Sequence, residues 1–168
     1  MALFINIRTI WLSCLLIFST TIHANSTHNL YMMTLSILSY TKWKNNTATF
    51  CIIPTNPQIM QSFQDNLKTQ NMTLSVKTIT AQQLSNVYCD IAFFSHTTPE
   101  QEQKLIQESL NKNILTFSTD NIDCEIGSVF CLYTSKLGKS QFKLNLDSLS
   151  KSKVHVDPRV FLLAKNSE

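Results

Sequence analysis

The chain has 168 residues, 43% of them hydrophobic and only 15% charged, with a formal net charge of +3. That is the composition of a folded protein, and its charge is too mild to imply nucleic acid as a partner. It holds only 2 glycines, about 1% against a usual share of roughly 7%, which excludes the glycine-rich loops that cradle phosphates. Gly127 and Gly138 are too far apart for a dinucleotide fingerprint. Tyr133 stands where a P-loop ending in Gly138-Lys139-Ser140 needs its first glycine, and no serine has the flanking glycines of a nucleophile elbow.

Residues 1–24 read as a secretory signal. Arg8 gives a basic start, Thr9 to Phe18 is apolar but short for a membrane span, and Ile22-His23-Ala24 supplies a cleavage site before Asn25. An uncleaved signal anchor is the alternative. Residues 25–168 then form a single domain with 13 basic and 11 acidic residues, net +2. From Asp65 to Glu125 there are eight acids and four lysines, whereas seven bases and three acids follow from Lys136 onward. A basic C-terminal face competes with an ordinary solvated lysine surface.

Leu30 to Trp43 has helical spacing with a wide apolar side, and Lys44-Asn45-Asn46 ends it. Thr49 to Ile53 is a buried strand closed by Pro54. Asn56 and Pro57 open a helix whose inner side is Ile59 (or Met60), Phe63 and Leu67. Thr73 to Ile79 alternates and suits an edge strand, then a turn leads to a buried strand within Tyr88 to Ser95. Thr98, Pro99 and Gln101 form a capping box before a helix facing inward through Leu105, Ile106 and Leu110. Ile114 to Ser118 is the next strand. Alternation of this kind argues for a mostly parallel sheet with helices on both faces. Val129 to Thr134 and Gln141 to Leu146 suit an antiparallel hairpin that ends the sheet. A short polar helix from Asp147 to Lys151 and a last apolar helix from Val160 to Ala164, capped by Asp157-Pro158, complete a three-layer α/β sandwich.

Four cysteines remain after the signal: Cys51, Cys89, Cys124 and Cys131. An even number in an exported chain points to disulfides, with three connectivities open. Gly127 lies between Cys124 and Cys131 and can make the reversal that brings those sulfurs together. Cys51 and Cys89 can meet if their strands are neighbours. No pair has the C-x-x-C spacing of a zinc site, and His28, His96 and His155 are scattered, so no metal and no cofactor is expected. Asp120, Asp123 and His96 follow strand ends, where α/β sheets hold ligands, but loop acids beside an exposed histidine are common without catalysis. The run Val160 to Leu163 is either a core helix or one that exposes a face led by Phe161 for a protein partner.

The runs Cys124-Glu125-Ile126-Gly127-Ser128-Val129-Phe130-Cys131, Phe142-Lys143-Leu144-Asn145-Leu146-Asp147-Ser148-Leu149 and Val160-Phe161-Leu162-Leu163-Ala164 closely resemble the YfiR family. Tyr40-Thr41-Lys42-Trp43, Phe50-Cys51-Ile52 and the Cys89 to Phe94 strand agree, so the resemblance covers roughly residues 28 to 165. It implies a periplasmic α/β sandwich paired Cys51–Cys89 and Cys124–Cys131. It also implies a non-enzymatic repressor that binds the periplasmic domain of a YfiN-type membrane diguanylate cyclase and lowers cyclic di-GMP and biofilm formation. Redox stress or a YfiB-type outer-membrane lipoprotein would release it, and a homodimer is compatible with the pattern. Lys153 departs from the family's usual glycine after the Asn-Leu-Asp motif. The basic C-terminal region with Arg159 and Phe161 is the expected partner surface. The other functions open to these residues are a periplasmic small-ligand sensor, using the crevice beyond Ser95-His96 and Ser118-Thr119-Asp120, and a thiol enzyme, which lacks the low-pKa thiol of a C-x-x-C.

Overall fold

The computed structural model describes residues 26–43 and 47–165; the expected signal segment, with its cleavage site at Ala24, lies outside them. The first helix, α1 (Ser26–Leu38), buries Leu30, Tyr31, Leu35, Ile37 and Leu38. It stops short of the expected end at Trp43. Thr41 instead forms an isolated antiparallel bridge with Val156, Lys42 N donates to His155 O (3.1 Å), and Tyr40 O accepts from Asp157 N (2.8 Å). A β-branched threonine between aromatic and lysine residues suits extended backbone once a distant segment supplies the partner.

Strand β1 (Ala48–Ile53) precedes α2 (Pro57–Gln70), whose start is set by Asn56. The Asn56 carboxamide oxygen accepts from Gln58 N (3.0 Å) and Ile59 N (3.2 Å), and Ile59, Phe63 and Leu67 go inward. Strand β2 (Leu74–Thr78) follows. The turn expected next is a 3₁₀ helix over Ala81–Ser85, opened by Gln83 Oε1 accepting from Thr80 N (2.8 Å). Strand β3 (Ile91–Phe94) leads to α3 (Pro99–Glu108), with the reciprocal Thr98–Gln101 capping box in place. Because α3 stops at Glu108, Leu110 lies outside it and is exposed rather than on its inner side. Strands β4 (Leu115–Ser118), β5 (Phe130–Thr134) and β6 (Ser140–Leu144) follow, then α4 (Leu146–Ser152) and α5 (Val160–Lys165). β6 ends earlier than the expected Leu146, since Asn145 leaves the sheet to cap α4.

The six strands form one sheet in the order β2-β1-β3-β4-β5-β6, parallel except for the antiparallel β5–β6 hairpin. β2 is at the edge. Alternate residues divide the core into two. Phe50, Ile52, Ile91, Phe93, Leu115 and Phe117 face the larger core under α1 and α2, where Tyr31, Phe50, Phe63 and Phe93 meet at ring distances of 4.7 to 6.3 Å. Cys51, Ile53, Ala92, Phe94 and Ile114 face the smaller core, with Leu105 and Ile106 of α3 packed against it. The architecture is thus the expected three-layer sandwich.

Two local features depart from the regular pattern. β4 and β5 pair at only two positions, Phe117 opposite Phe130 and Ser118 opposite Cys131. Their parallel connection, residues 119–129, carries no helix, whereas such crossovers usually do. At the end of α4, Lys153 sits at φ 52, in the left-handed region that favours glycine. Lys153→Gly should therefore raise the unfolding free energy by up to about 1 kcal/mol, a gain offset in part by the freer unfolded chain. Urea titration of both proteins checks this. Among the described residues, no helix is long and apolar enough to cross a membrane.

Candidate functional site

The helix-less crossover is held by a disulfide, Cys124–Cys131, with Cα atoms 5.7 Å apart. It reverses at Gly127, whose φ is 82. Its polar groups are turned inward. Asn121 Oδ1 accepts from Cys124 N (3.0 Å) while its Nδ2 donates to Ile126 O (2.7 Å). Gly127 N donates to Gln103 Oε1 (2.9 Å). The Asn-Leu-Asp motif fastens the other side: Asn145 Nδ2 donates to Glu125 O (2.8 Å), its Oδ1 caps α4 at Ser148 N (2.9 Å), and Ser148 Oγ donates to Gly127 O (2.8 Å). Outward, this surface presents Ile122 (65% exposed), Ile126 (42%) and Leu146 (67%).

Beneath the loop lies Glu102 of α3, with no solvent exposure at all. Its Oε1 accepts from Ser118 Oγ and from Thr97 Oγ1 (3.3 Å); its Oε2 accepts from Asn121 Nδ2 (3.2 Å) and Ser128 N (3.2 Å). Burial raises its pKa above the ordinary glutamate value, and the bonds from Ser118, Ser128 and Asn121 pull it partly back. Gly127 packs so closely that a Cβ there would lie 2.9 Å from Glu102 Oε2 and 3.0 Å from Pro99 O. Glu102 is not among the residues expected from the sequence to form a site. Its signal is the spacing Glu102, Leu105, Ile106, which places a carboxylate on the inner side of an amphipathic helix.

The second disulfide, Cys51–Cys89, joins β1 to the entrance of the neighbouring β3, with Cα atoms 5.9 Å apart. Both residues are fully buried in the smaller core. The candidate acid–base group is only partly assembled: Asp120 Oδ2 accepts from His96 N (2.8 Å), so the backbone rather than the imidazole makes the contact, and Asp123 is exposed.

Arg159 forms a two-pronged ion pair with Asp157 (Nε–Oδ1 3.0 Å, NH2–Oδ2 2.8 Å) and stacks over Tyr40, 5.6 Å from the ring centre. The Arg159 hydrogen bonds lower the Asp157 carboxyl to a pKa of about 2. In α5, Val160 is buried, as a core helix requires, while Phe161 (41% exposed) and Leu162 (57%) face outward. A cavity of about 540 Å³ opens at the amino ends of β3 and β4, lined by Lys42, Trp43, Tyr88, Asp90, Lys153 and His155 among others. It lies at the end of the sheet opposite the expected Ser95–His96 and Ser118–Asp120 crevice, where Ser95 and Ser118 are buried.

The sequence pattern of the YfiR/HmsC-like family matches residues 30–165. Among solved structures, a conserved domain protein from Vibrio cholerae O1 biovar El Tor strain N16961 is similar in fold, with a TM-score of 0.57 at 9% identity. The match covers 80% of this chain and 58% of that one, so the chain spans little more than half of its structural neighbour's length.

Proposed function

The chain belongs to the YfiR/HmsC-like family, and on that premise we propose that it is a periplasmic regulatory protein without catalytic activity of its own. In this reading it binds the periplasmic domain of a YfiN-type diguanylate cyclase and holds it inactive, lowering cyclic di-GMP. A YfiB-type outer-membrane lipoprotein is the competing partner that relieves the repression. The observation that carries the reading is the stapled loop. Its backbone polar groups are committed inward, its shape is set by a disulfide and six hydrogen bonds, and apolar side chains are left outside. A rigid apolar display of this kind loses little entropy on docking.

Two patches can serve as the partner surface. Phe161 with Arg159 is one, and Ile122, Ile126 and Leu146 form the other. Arg159 would have to give up part of its pairing with Asp157 and Tyr40, which lowers its net contribution. Deleting the gene should raise cyclic di-GMP and surface attachment, and unchanged levels of both would remove the repressor reading. Phe161→Glu, Arg159→Glu and Ile126→Glu, each shown to melt like the parent, should weaken binding to the cyclase domain by about 10- to 100-fold if the residue lies at the interface centre. Full repression by all three folded variants would eliminate both surfaces.

The basic, aromatic-lined cavity favours a second reading, a sensor of small anionic ligands with an aromatic or apolar part, held by Lys42, Lys153 and His155 beside Trp43 and Tyr88. Ligand-induced thermal stabilisation that disappears in Lys153→Glu distinguishes it from the first.

A further inference from the structure

Among the described residues, no countercharge touches the Glu102 carboxyl group. The groups that touch it are Thr97, Ser118, Asn121 and Ser128, all neutral. Charged neighbours on the same elements turn elsewhere: Asp120 accepts from His96 N and Thr119 Oγ1, while His96, Glu100, Lys104, Glu108, Asp123 and Glu125 are exposed. Ionised Glu102 thus relies on four neutral donors to replace its water, two of which, Asn121 Nδ2 and Ser128 N, belong to the crossover that the disulfide staples.

We infer that Glu102 is a pH-dependent latch on the Cys124–Cys131 loop: the neutral carboxyl favours the seated loop, and ionisation favours its release. With the loop seated the carboxyl is desolvated; with the loop lifted it is hydrated and returns to ordinary acidity. The seated state therefore binds the proton more tightly. Its population is highest in acid and falls as pH rises through the raised pKa of the buried group, in line with the upward direction that burial imposes. Lifting the loop also repositions Ile122 and Ile126, so on the regulator reading above the latch would tune the docking surface to the acidity of the periplasm.

Hydrogen exchange of the oxidised, partner-free protein tests the latch. Amide protection at Cys124, Gly127 and Ser128, corrected for intrinsic exchange, should fall as pH rises above the ordinary glutamate range, by at most about tenfold per pH unit for one linked proton. In Glu102→Gln the slope should vanish. Protection in the parent that is flat or rises with pH, or the same slope in the variant, would overturn the proposal. If Glu102→Gln does not fold, the ¹³C titration of the Glu102 carboxyl in the parent protein decides: a midpoint at or below the ordinary glutamate value overturns it, and a raised midpoint supports it. No partner is present in these measurements, so their failure leaves the regulator reading standing, and failure of that reading leaves the latch testable.

Discussion

Replacing Cys51 and Cys89 together by alanine is expected to lower the unfolding free energy by about 4 kcal/mol, against about 2.5 kcal/mol for the Cys124–Cys131 pair. The order follows from loop length. The first disulfide closes a separation of 38 residues and the second a separation of 7, so the first removes more freedom from the unfolded chain. Location works in the same direction. Cys51 and Cys89 are fully buried in the smaller core beside Ala92 and Phe94, so removing their sulfurs leaves a cavity there. Each loss is a large fraction of the 5–15 kcal/mol typical of a small domain. Urea unfolding of the two double variants under oxidising conditions checks the order, and equal midpoints for both would refute it.

Gly127→Ala is expected to cost about 2–4 kcal/mol, combining a left-handed backbone with an overpacked site. The added methyl would meet a buried carboxylate at 2.9 Å and a backbone carbonyl at 3.0 Å, so one of them must shift. Gly138 is the internal control. It too has a positive φ, of 76, but nothing lies within 4 Å of its Cβ position, so Gly138→Ala should cost only about 1 kcal/mol. Similar losses for both would mean that backbone conformation alone governs Gly127. If Gly127→Ala also lifts the disulfide loop, its exchange protection at Ser128 should fall with the global stability still measurable.

The elements that were legible in the sequence are those whose signals are local. Asn56 before Pro57, the Thr98–Gln101 box and the unbroken apolar strands act within a few residues, and each stands where its chemistry puts it. The missed features depend on distant partners. Thr41 leaves the helix for Val156, more than a hundred residues away, and no periodicity in Leu30 to Trp43 carries that information. Glu102 looks like any helical glutamate until residues 121 and 128 return over it. The 3₁₀ helix did have a local signal, Thr80 with Gln83, but its five residues are too few to show a period. The part that Asn145 and Ser148 play, as fasteners of the disulfide loop, became visible only with the hydrogen bonds.

The position of α1 has a consequence for the order in which the molecule can be completed. Its apolar side packs against α2, which follows soon after it, and against β5 and β6, which lie near the other end of the chain. This early helix is therefore among the last elements to find its full set of neighbours. Until β5 and β6 arrive, Leu35, Ile37 and Leu38 have no complete surface to cover them, and the sheet beyond β4 is attached through only two paired positions. A partly made chain of this design stays open until those strands are in place. The carboxyl-terminal third, by arriving last, closes the structure.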